Sequence, residues 1–319
     1  MFSSTILELF ITEPLRSDLA ILAELKSQGE LLSRKSLKLF FIEGQVFRNG
    51  RQLSPSFVLQ PGHHQIEIRT ASLSMDRTSK PSTRGSFVPV IYEDDLILVL
   101  NKPSGIPSVP HSPVETETAV GSALAHCPSL ALVGRAGLEP GLLHRLDTET
   151  SGLLAFAKTN KSYEWLKFAW KSGAVKKVYR AISSSPKHKP RPRAPQILSP
   201  ILAHVAKSSK RMMVWNENEN HKPLIRGKPL STKTHLMSVA STNKNQIDLT
   251  LEIKTGIMHQ IRCTLAHLGW PVLGDPIYRG DSSTRLWLHA WKLEFPTLDH
   301  PDGIKVEAPL PLDWPGNLS

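Results

Sequence analysis

Apolar residues along this chain recur with two different periods, and the places where the period changes mark its elements. Residues 15 to 44 carry two helical patterns. The second runs from about Arg34 to Glu43, with Arg34, Lys35 and Lys38 on it and Gly44 where a C-terminal cap belongs. Val46-Phe47 then leads into Arg48-Asn49-Gly50-Arg51, whose Asn-Gly pair suits a tight hairpin turn, and Gln65 to Arg69 alternates polar and apolar as a half-buried strand does. The pattern predicts a small helix-helix-hairpin unit over residues 1–72.

Residues 73–86 lose the periodicity and are rich in Ser, Thr, Lys and Arg, the composition of a flexible basic linker, so a second domain is expected over 87–319. Within it Leu96 to Leu100, Leu153 to Ala157, Val175 to Ile182, Ile247 to Ile253 and Leu286 to Leu293 read as strands. Thr116 to His126, Asn160 to Ser172 and Met258 to Leu268 read as helices. The elements mix without a strict βαβ rhythm, so α+β is the class expected. On the last helix, residues 258, 261, 265 and 268 share an apolar face while His259, Arg262 and Ala266 share another, which turns Arg262 away from the core-facing stripe. Pro186 to Pro195 cannot lie in a helix interior or a central strand, because its prolines lack N–H donors and fix φ. It reads as a basic, extended surface loop, and Asn216 to His221 as a second polar excursion.

Length and composition narrow the class. A chain of 319 residues with 40% hydrophobic content fits one large and one smaller folded domain and excludes wholesale disorder. Lys plus Arg number 39 against 28 Asp plus Glu, and a net charge of +11 attracts a polyanion, nucleic acid first among them. Cys127 and Cys263 are too few for a disulfide framework or a thiolate zinc site and fit a reducing cytoplasm. The Met1-Phe2-Ser3-Ser4 start lacks a basic n-region, Glu8 and Glu13 interrupt any leader, and no apolar run approaches the roughly 18 residues of a membrane helix, so a soluble protein is expected.

Walker, dinucleotide-binding, nucleophile-elbow and His-Glu-x-x-His signatures are missing, and thirteen histidines lie scattered without ligand spacing. Catalysis would rest on ordinary acid, base and nucleophile groups, with no metal. The segment Leu143-His144-Arg145-Leu146-Asp147-Thr148-Glu149-Thr150-Ser151-Gly152 concentrates such groups immediately before the apolar run Leu153 to Ala157. Its residues alone leave two readings of Asp147: a turn residue closing on the Thr148 and Thr150 hydroxyls and pairing with Arg145, or a catalytic carboxylate.

Here the chain resembles the RluA-type pseudouridine synthases, whose signature His-Arg-Leu-Asp-x-x-Thr-Ser-Gly-Leu-Leu is met at every fixed position from His144 to Leu154. The resemblance spans roughly residues 87 to 319. Further matches follow in the family's order: Asn101-Lys102-Pro103-Ser104-Gly105, Lys177-x-Tyr179-x-Ala181, His259-Gln260-Ile261-Arg262 and Pro271-Val272-Leu273-Gly274-Asp275. The N-terminal unit looks like an S4-type RNA-binding module.

The resemblance implies a mixed, largely antiparallel central sheet and a cofactor-free isomerisation that breaks the uracil N1–C1′ bond, turns the base and joins C5 to C1′. Asp147 would attack an electrophilic carbon or deprotonate the sugar. Tyr179 would lie against the uracil, and Arg262 would keep Asp147 ionised and oriented. Arg145 would fill the space left by a flipped uridine. His144, Lys177, Arg34, Lys35 and Lys38 are further candidates for contact with RNA. The expected partner is RNA, large-subunit ribosomal RNA ahead of transfer RNA, bound by a monomer without metal or membrane.

Two departures stand out: Ile257 replaces the arginine usual before the His-Gln-Ile-Arg run, and Thr264 replaces the histidine usual after it. A glycine usual after the Lys-x-Tyr strand is absent as well, Ser183 to Ser185 standing there. The departures motivate a rival, a non-catalytic RNA-binding or ribosome-assembly factor on the same fold, against which the joint presence of Asp147, Tyr179 and Arg262 argues. A glycoside hydrolase would need a second, independent carboxylate, and Glu149 is too close to Asp147 in sequence to serve.

Overall fold

The uninterrupted apolar run Ile97-Leu98-Val99-Leu100 is apolar throughout because its strand is covered on both sides. Ile97 and Val99 pack with Leu153, Ala155, Leu166 and Leu293 on one face, and Leu98 and Leu100 pack with Leu154, Phe156, Ala123 and Leu249 on the other. Helix Asn160–Ser172 contributes Leu166 and Ala169 to the first layer, and helix Ala119–His126 contributes Val120 and Ala123 to the second. The computed structural model describes residues 4–28, 34–69, 79–111, 115–134, 137–185, 190–206, 208, 211–216, 224–243, 245–296 and 303–315.

The chain divides into two compact units, Met1–Arg77 and Thr78–Ser319. The larger is α+β, built on a nine-stranded sheet in the order Gln196–Leu198, Thr234–Asn243, Gln246–Ile253, Lys176–Ser184, Leu288–Phe295, Ser151–Ala157, Ile97–Lys102 and Val90–Glu93, with Ile304–Glu307 paired to Leu288–Phe295. Its pairings are antiparallel except that Leu288–Phe295 runs parallel to Ser151–Ala157. The sheet is therefore mixed and largely antiparallel. A separate three-stranded sheet joins Met212–Trp215, Ile201–Val205 and Ile225–Ser231.

All five strands expected in this unit form, and helix Asn160–Ser172 has the expected bounds. The last helix is shorter, Gln260–His267, because His259 before it takes a left-handed φ of 53°. Gln260 to Leu265 are all buried, so the expectation that Arg262 sits on an open face is corrected. Of the strands missed by pattern reading, Ile225–Ser231 is mostly exposed and mixes polar with apolar side chains, which leaves little amphipathic signal, while Met212–Trp215 and Ile304–Glu307 are only four residues long.

The smaller unit carries a sheet in the order Ser4–Ile11, Gly62–Arg69, Val46–Arg48, Arg51–Gln52, with helices Ser17–Ser27 and Arg34–Ile42. Leu7, Leu9, Ile66 and Ile68 from the sheet meet Ile21, Leu25, Leu37 and Phe40 from the helices in its core. The hairpin turn places Asn49 at φ 51° and Gly50 at φ 70°, the positive angles for which Asn-Gly is suited.

The expected linker 73–86 needs a second correction. Ser79 donates its N–H to the Gly137 carbonyl at 3.0 Å and its hydroxyl to the Leu138 carbonyl at 2.8 Å. Ser82 likewise binds the Gly121 carbonyl at 2.9 Å and Glu117 Oε1 at 2.8 Å. Hydroxyl-rich sequence that looked like flexible chain thus satisfies backbone and carboxylate groups of the larger unit; residues 73–78 lie outside the described residues. Residues 190–195 form no regular element, while 186–189 and 217–221 of the two expected loops lie outside the described residues. No helix among the described residues is long and apolar enough to cross a membrane.

Gly152 occupies the tightest point of the parallel pairing. Its φ is +110°, and a Cβ there would lie 2.3 Å from the Ala290 carbonyl oxygen and 2.6 Å from the Ala290 nitrogen. Gly152→Ala should destabilise the protein by at least about 2 kcal/mol, read as a lower midpoint in urea unfolding.

Candidate active site

The loop from Leu143 to Thr150 owes its shape to the segment that follows strand Ile97–Lys102. Lys102 is fully buried, and its Nζ donates to three carbonyls, Pro103 at 2.9 Å, Ile106 at 2.7 Å and Thr148 at 2.9 Å. Burial pulls its pKa down to about 7, against the opposing charges of Glu149 and Asp147. Three acceptors match the three donors of an ammonium, so the protonated form fits this nest. Gly105 N–H also binds the Thr148 carbonyl at 2.9 Å, Ser104 Oγ the Glu149 carbonyl at 2.7 Å, and Ser108 Oγ the Leu146 carbonyl at 2.7 Å. The Thr150 N–H closes a turn on the Asp147 carbonyl at 3.0 Å. The turn reading of Asp147 therefore describes its main chain.

Its side chain does something else. Arg262, only 3% exposed, donates Nη1 to Asp147 Oδ2 at 2.8 Å while Nε and Nη2 grip Asp275 at 2.7 and 2.9 Å. Burial alone would make the guanidinium easier to deprotonate, but Asp275 and then Asp147 push its pKa above the ordinary value. Asp275 is completely buried and also accepts the N–H groups of Ile277 and Tyr278 at 2.9 and 3.1 Å. His259 Nε2 stands 3.5 Å from Asp147 Oδ2, and its Nδ1 lies 3.0 Å from the Tyr278 hydroxyl. Gln260 fastens the start of the helix, donating to Thr234 Oγ1 at 2.9 Å and accepting from Thr255 Oγ1 at 2.7 Å.

Asp147, His259, Gln260 and Arg262 line an open cleft of about 880 Å³ together with Tyr179, Lys177, Arg145 and His144. Tyr179 is buried, and desolvation and the Asp147 charge push its phenol above the ordinary pKa of 10.0, which suits a ring that stacks better than a base. Two places before it on the same strand, Lys177 is buried with its pKa lowered to about 8 by burial and by Lys254, with Glu252 opposing. Arg145 stands exposed at the rim, paired with Glu139 at 3.2 Å, a contact that water weakens to little net value.

His144 requires a correction. Its ring stacks on Trp170 at 4.7 Å, and Nε2 accepts the Ala155 N–H at 3.2 Å. Burial, with Lys177 and Lys167 nearby, drops its pKa to about 3, so it has no positive charge to offer a phosphate and instead supports the loop. The basic candidates of the smaller unit lie on another body. Arg34 is paired with Asp18 at 2.9 Å, Lys38 is exposed, and the Lys35 side chain lies outside the described residues.

Asp275, His259, Tyr278 and Lys102 were not singled out for a role, although three of them stand in the runs that carry the resemblance. A carboxylate directly after Gly274 was visible in sequence; its pairing with Arg262 was not. Of the departures, Ile257 joins a small apolar cluster with Met212, Cys263 and Tyr278, and Thr264 is fully buried with no hydrogen-bond partner for Oγ1 among the described residues.

Residues 96–267 match the family described as RNA pseudouridylate synthase. This chain belongs to that family. It is an RNA pseudouridine synthase, an isomerase that turns uridine into pseudouridine within the RNA chain. A ribosomal large subunit pseudouridine synthase D of Borreliella burgdorferi is 30% identical over 281 residues, covering 85% of this chain and 80% of that one. The protein of the same description from Neisseria meningitidis is 29% identical over 298 residues, covering 88% of this chain and 73% of that one. Among solved structures, human RNA pseudouridylate synthase domain containing 1 shares the fold with a TM-score of 0.55 at 22% identity, covering 71% of this chain and 85% of that one.

Two outcomes follow for the synthase. Asp275→Ala leaves a buried guanidinium half-paired and two N–H groups without acceptors, and should cost about 3–5 kcal/mol in urea unfolding together with activity. The unfolded state protonates His144 near 6.5 and the folded state only near 3, so below pH 6.5 the unfolded state binds more protons and acid destabilises the wild type. His144→Phe removes that contribution, and its stability should fall less steeply between pH 6.5 and pH 4 in denaturant titrations at successive pH values.

Proposed function

We propose that this synthase modifies uridine in large-subunit ribosomal RNA, with Asp147 as the reacting carboxylate. The observation that carries the second part is a half-exposed carboxylate at a cleft, tied through one oxygen to a buried arginine that Asp275 holds from behind. Such a pair keeps the carboxylate ionised and aimed while leaving it open to a substrate. The first part rests on the names of the relatives and on the net charge of +11, which favours a polyanionic partner.

A uridine in folded RNA must leave its stack to reach such a cleft, at a cost of a few kcal/mol. Arg145 at the rim has the planar guanidinium to occupy the vacated space, and its weak pair with Glu139 is readily exchanged. Tyr179 stacks on the uracil beside Asp147, and Lys177 supplies positive charge inside the cleft. The smaller unit serves as an S4-like RNA-binding module, with Lys38 on an exposed helix face; Arg34 is shared with Asp18. We place the protein in the cytoplasm as a monomer, where its free Cys127 and Cys263 fit a reducing environment.

Asp147→Asn should lower pseudouridine formation on the order of 10³-fold or more with RNA affinity retained; full activity in that variant would sink the assignment. Mapping pseudouridines across total RNA with and without the gene names the substrate. A site lost from large-subunit ribosomal RNA supports the proposal, a site lost from transfer RNA redirects it, and no lost site favours a binding factor.

A further inference from the structure

The Asp147 carboxylate is gripped through one oxygen. Arg262 Nη1 donates to Oδ2 at 2.8 Å and His259 Nε2 lies 3.5 Å from the same atom, whereas no donor among the described residues reaches Oδ1. The second of these contacts has its own support. The Met212 N–H, which can only donate, reaches the Tyr278 hydroxyl oxygen at 2.9 Å, so the phenol has its own proton to give, to His259 Nδ1 at 3.0 Å or to the neighbouring Cys263 sulfur; a buried, protonated thiol is the weaker acceptor, which favours His259. A neutral imidazole that accepts at Nδ1 carries its hydrogen on Nε2, the nitrogen facing Asp147. Donation thus runs from strand Met212–Trp215, through Tyr278, to the imidazole and favours the tautomer that turns an N–H to the carboxylate.

His259 is also one of three non-glycine residues with positive φ among the described residues, at 53°, and the Cys263 N–H holds its carbonyl at 2.8 Å. A left-handed residue at a site is a constraint the surroundings must enforce, and here it aims the ring edge-on at Tyr278, 5.6 Å between centroids at 87°. Burial lowers the His259 pKa; Asp147 opposes this, Arg262 adds to it and Asp275 opposes it, with the net result below the ordinary 6.5. Cys263 and Tyr278, which also face this region, are both held protonated by burial. The imidazole therefore donates without adding a second positive charge beside Arg262.

We propose that His259, oriented by Tyr278, is a positioning residue that donates from Nε2 to Asp147 Oδ2, making Oδ2 the anchored oxygen and Oδ1 the one presented to the ribose. The inference rests on Asp147 being the reacting carboxylate. The 3.5 Å separation is long for a hydrogen bond, and contacts of this kind shorten once substrate fills the cleft.

The test uses full-length protein in excess over total RNA from a strain lacking the gene, with pseudouridine formation followed in a single turnover. His259→Ala should slow the reaction by about 10-fold to 100-fold without weakening retention of that RNA on a filter. His259→Gln, whose amide can donate to the same oxygen, should recover most of the loss and keep the wild-type pH profile between about pH 6 and 8. Tyr278→Phe should lose less, in the same direction. Nitrogen NMR of histidine-labelled wild type, assigned by the resonance missing from His259→Gln, should report hydrogen on Nε2, a readout that stands even where His259→Ala or Tyr278→Phe does not fold. A wild-type rate for His259→Ala, a glutamine variant no better than alanine, or hydrogen on Nδ1 overturns the proposal. An active Asp147→Asn variant would instead remove the catalytic assignment itself, a result distinct from an inactive Asp147→Asn beside a fully active His259→Ala.

Discussion

A buried guanidinium between two carboxylates is the constraint on which the rest of the site depends. Arg262 is almost fully withdrawn from water, and a charge so placed is tolerable only with its donors paired. Asp275 takes two of them from inside the fold and Asp147 a third from the cleft. The loop carrying Asp147, the helix carrying Arg262 and the turn carrying Asp275 cannot shift separately without stranding that charge. The pairing that makes the buried charge tolerable is therefore also what aims Asp147 into the cleft, which explains why so much polar chemistry is buried beside it.

The same economy appears around the loop. Lys102 is a second buried cation, satisfied by carbonyls rather than carboxylates, and one of its acceptors is Thr148, next to Asp147. With Ser104 and Ser108 it ties the carbonyls of Leu146, Thr148 and Glu149 to one short segment. Asp275 accepts the Tyr278 N–H, so the residue that holds Arg262 also sets the ring against which His259 packs. Gly152 permits the close parallel approach that carries this loop to strand Leu288–Phe295.

The departures from the family pattern fall where they spare this network. Ile257 extends an apolar cluster on one wall of the cleft, and Thr264 fills a fully buried position on the Arg262 helix. Neither replaces a partner of Asp147, Arg262 or Asp275.

What the amino-acid order determined by itself was local. The apolar runs became the central strands, the Asn-Gly pair made its hairpin, and the run from His144 to Leu154 marked the loop that matters. These features depend on residues a few positions apart, and period and turn chemistry report such relations directly. The polar-rich strands and the ordered stretch 79–86 were misread because their partners lie far along the chain; serines that fit a flexible linker also satisfy buried carbonyls. Charge was legible only in part. His144 was a candidate for contact with RNA and is a neutral ring stacked on Trp170, and Arg262, turned off the apolar stripe by helical spacing and expected beside Asp147, is the buried centre of the site. Whether an ionisable side chain is paired, neutral or exposed depends on dielectric surroundings and on partners more than a hundred residues away, such as Asp147 for Arg262, and only the tertiary structure brings those together.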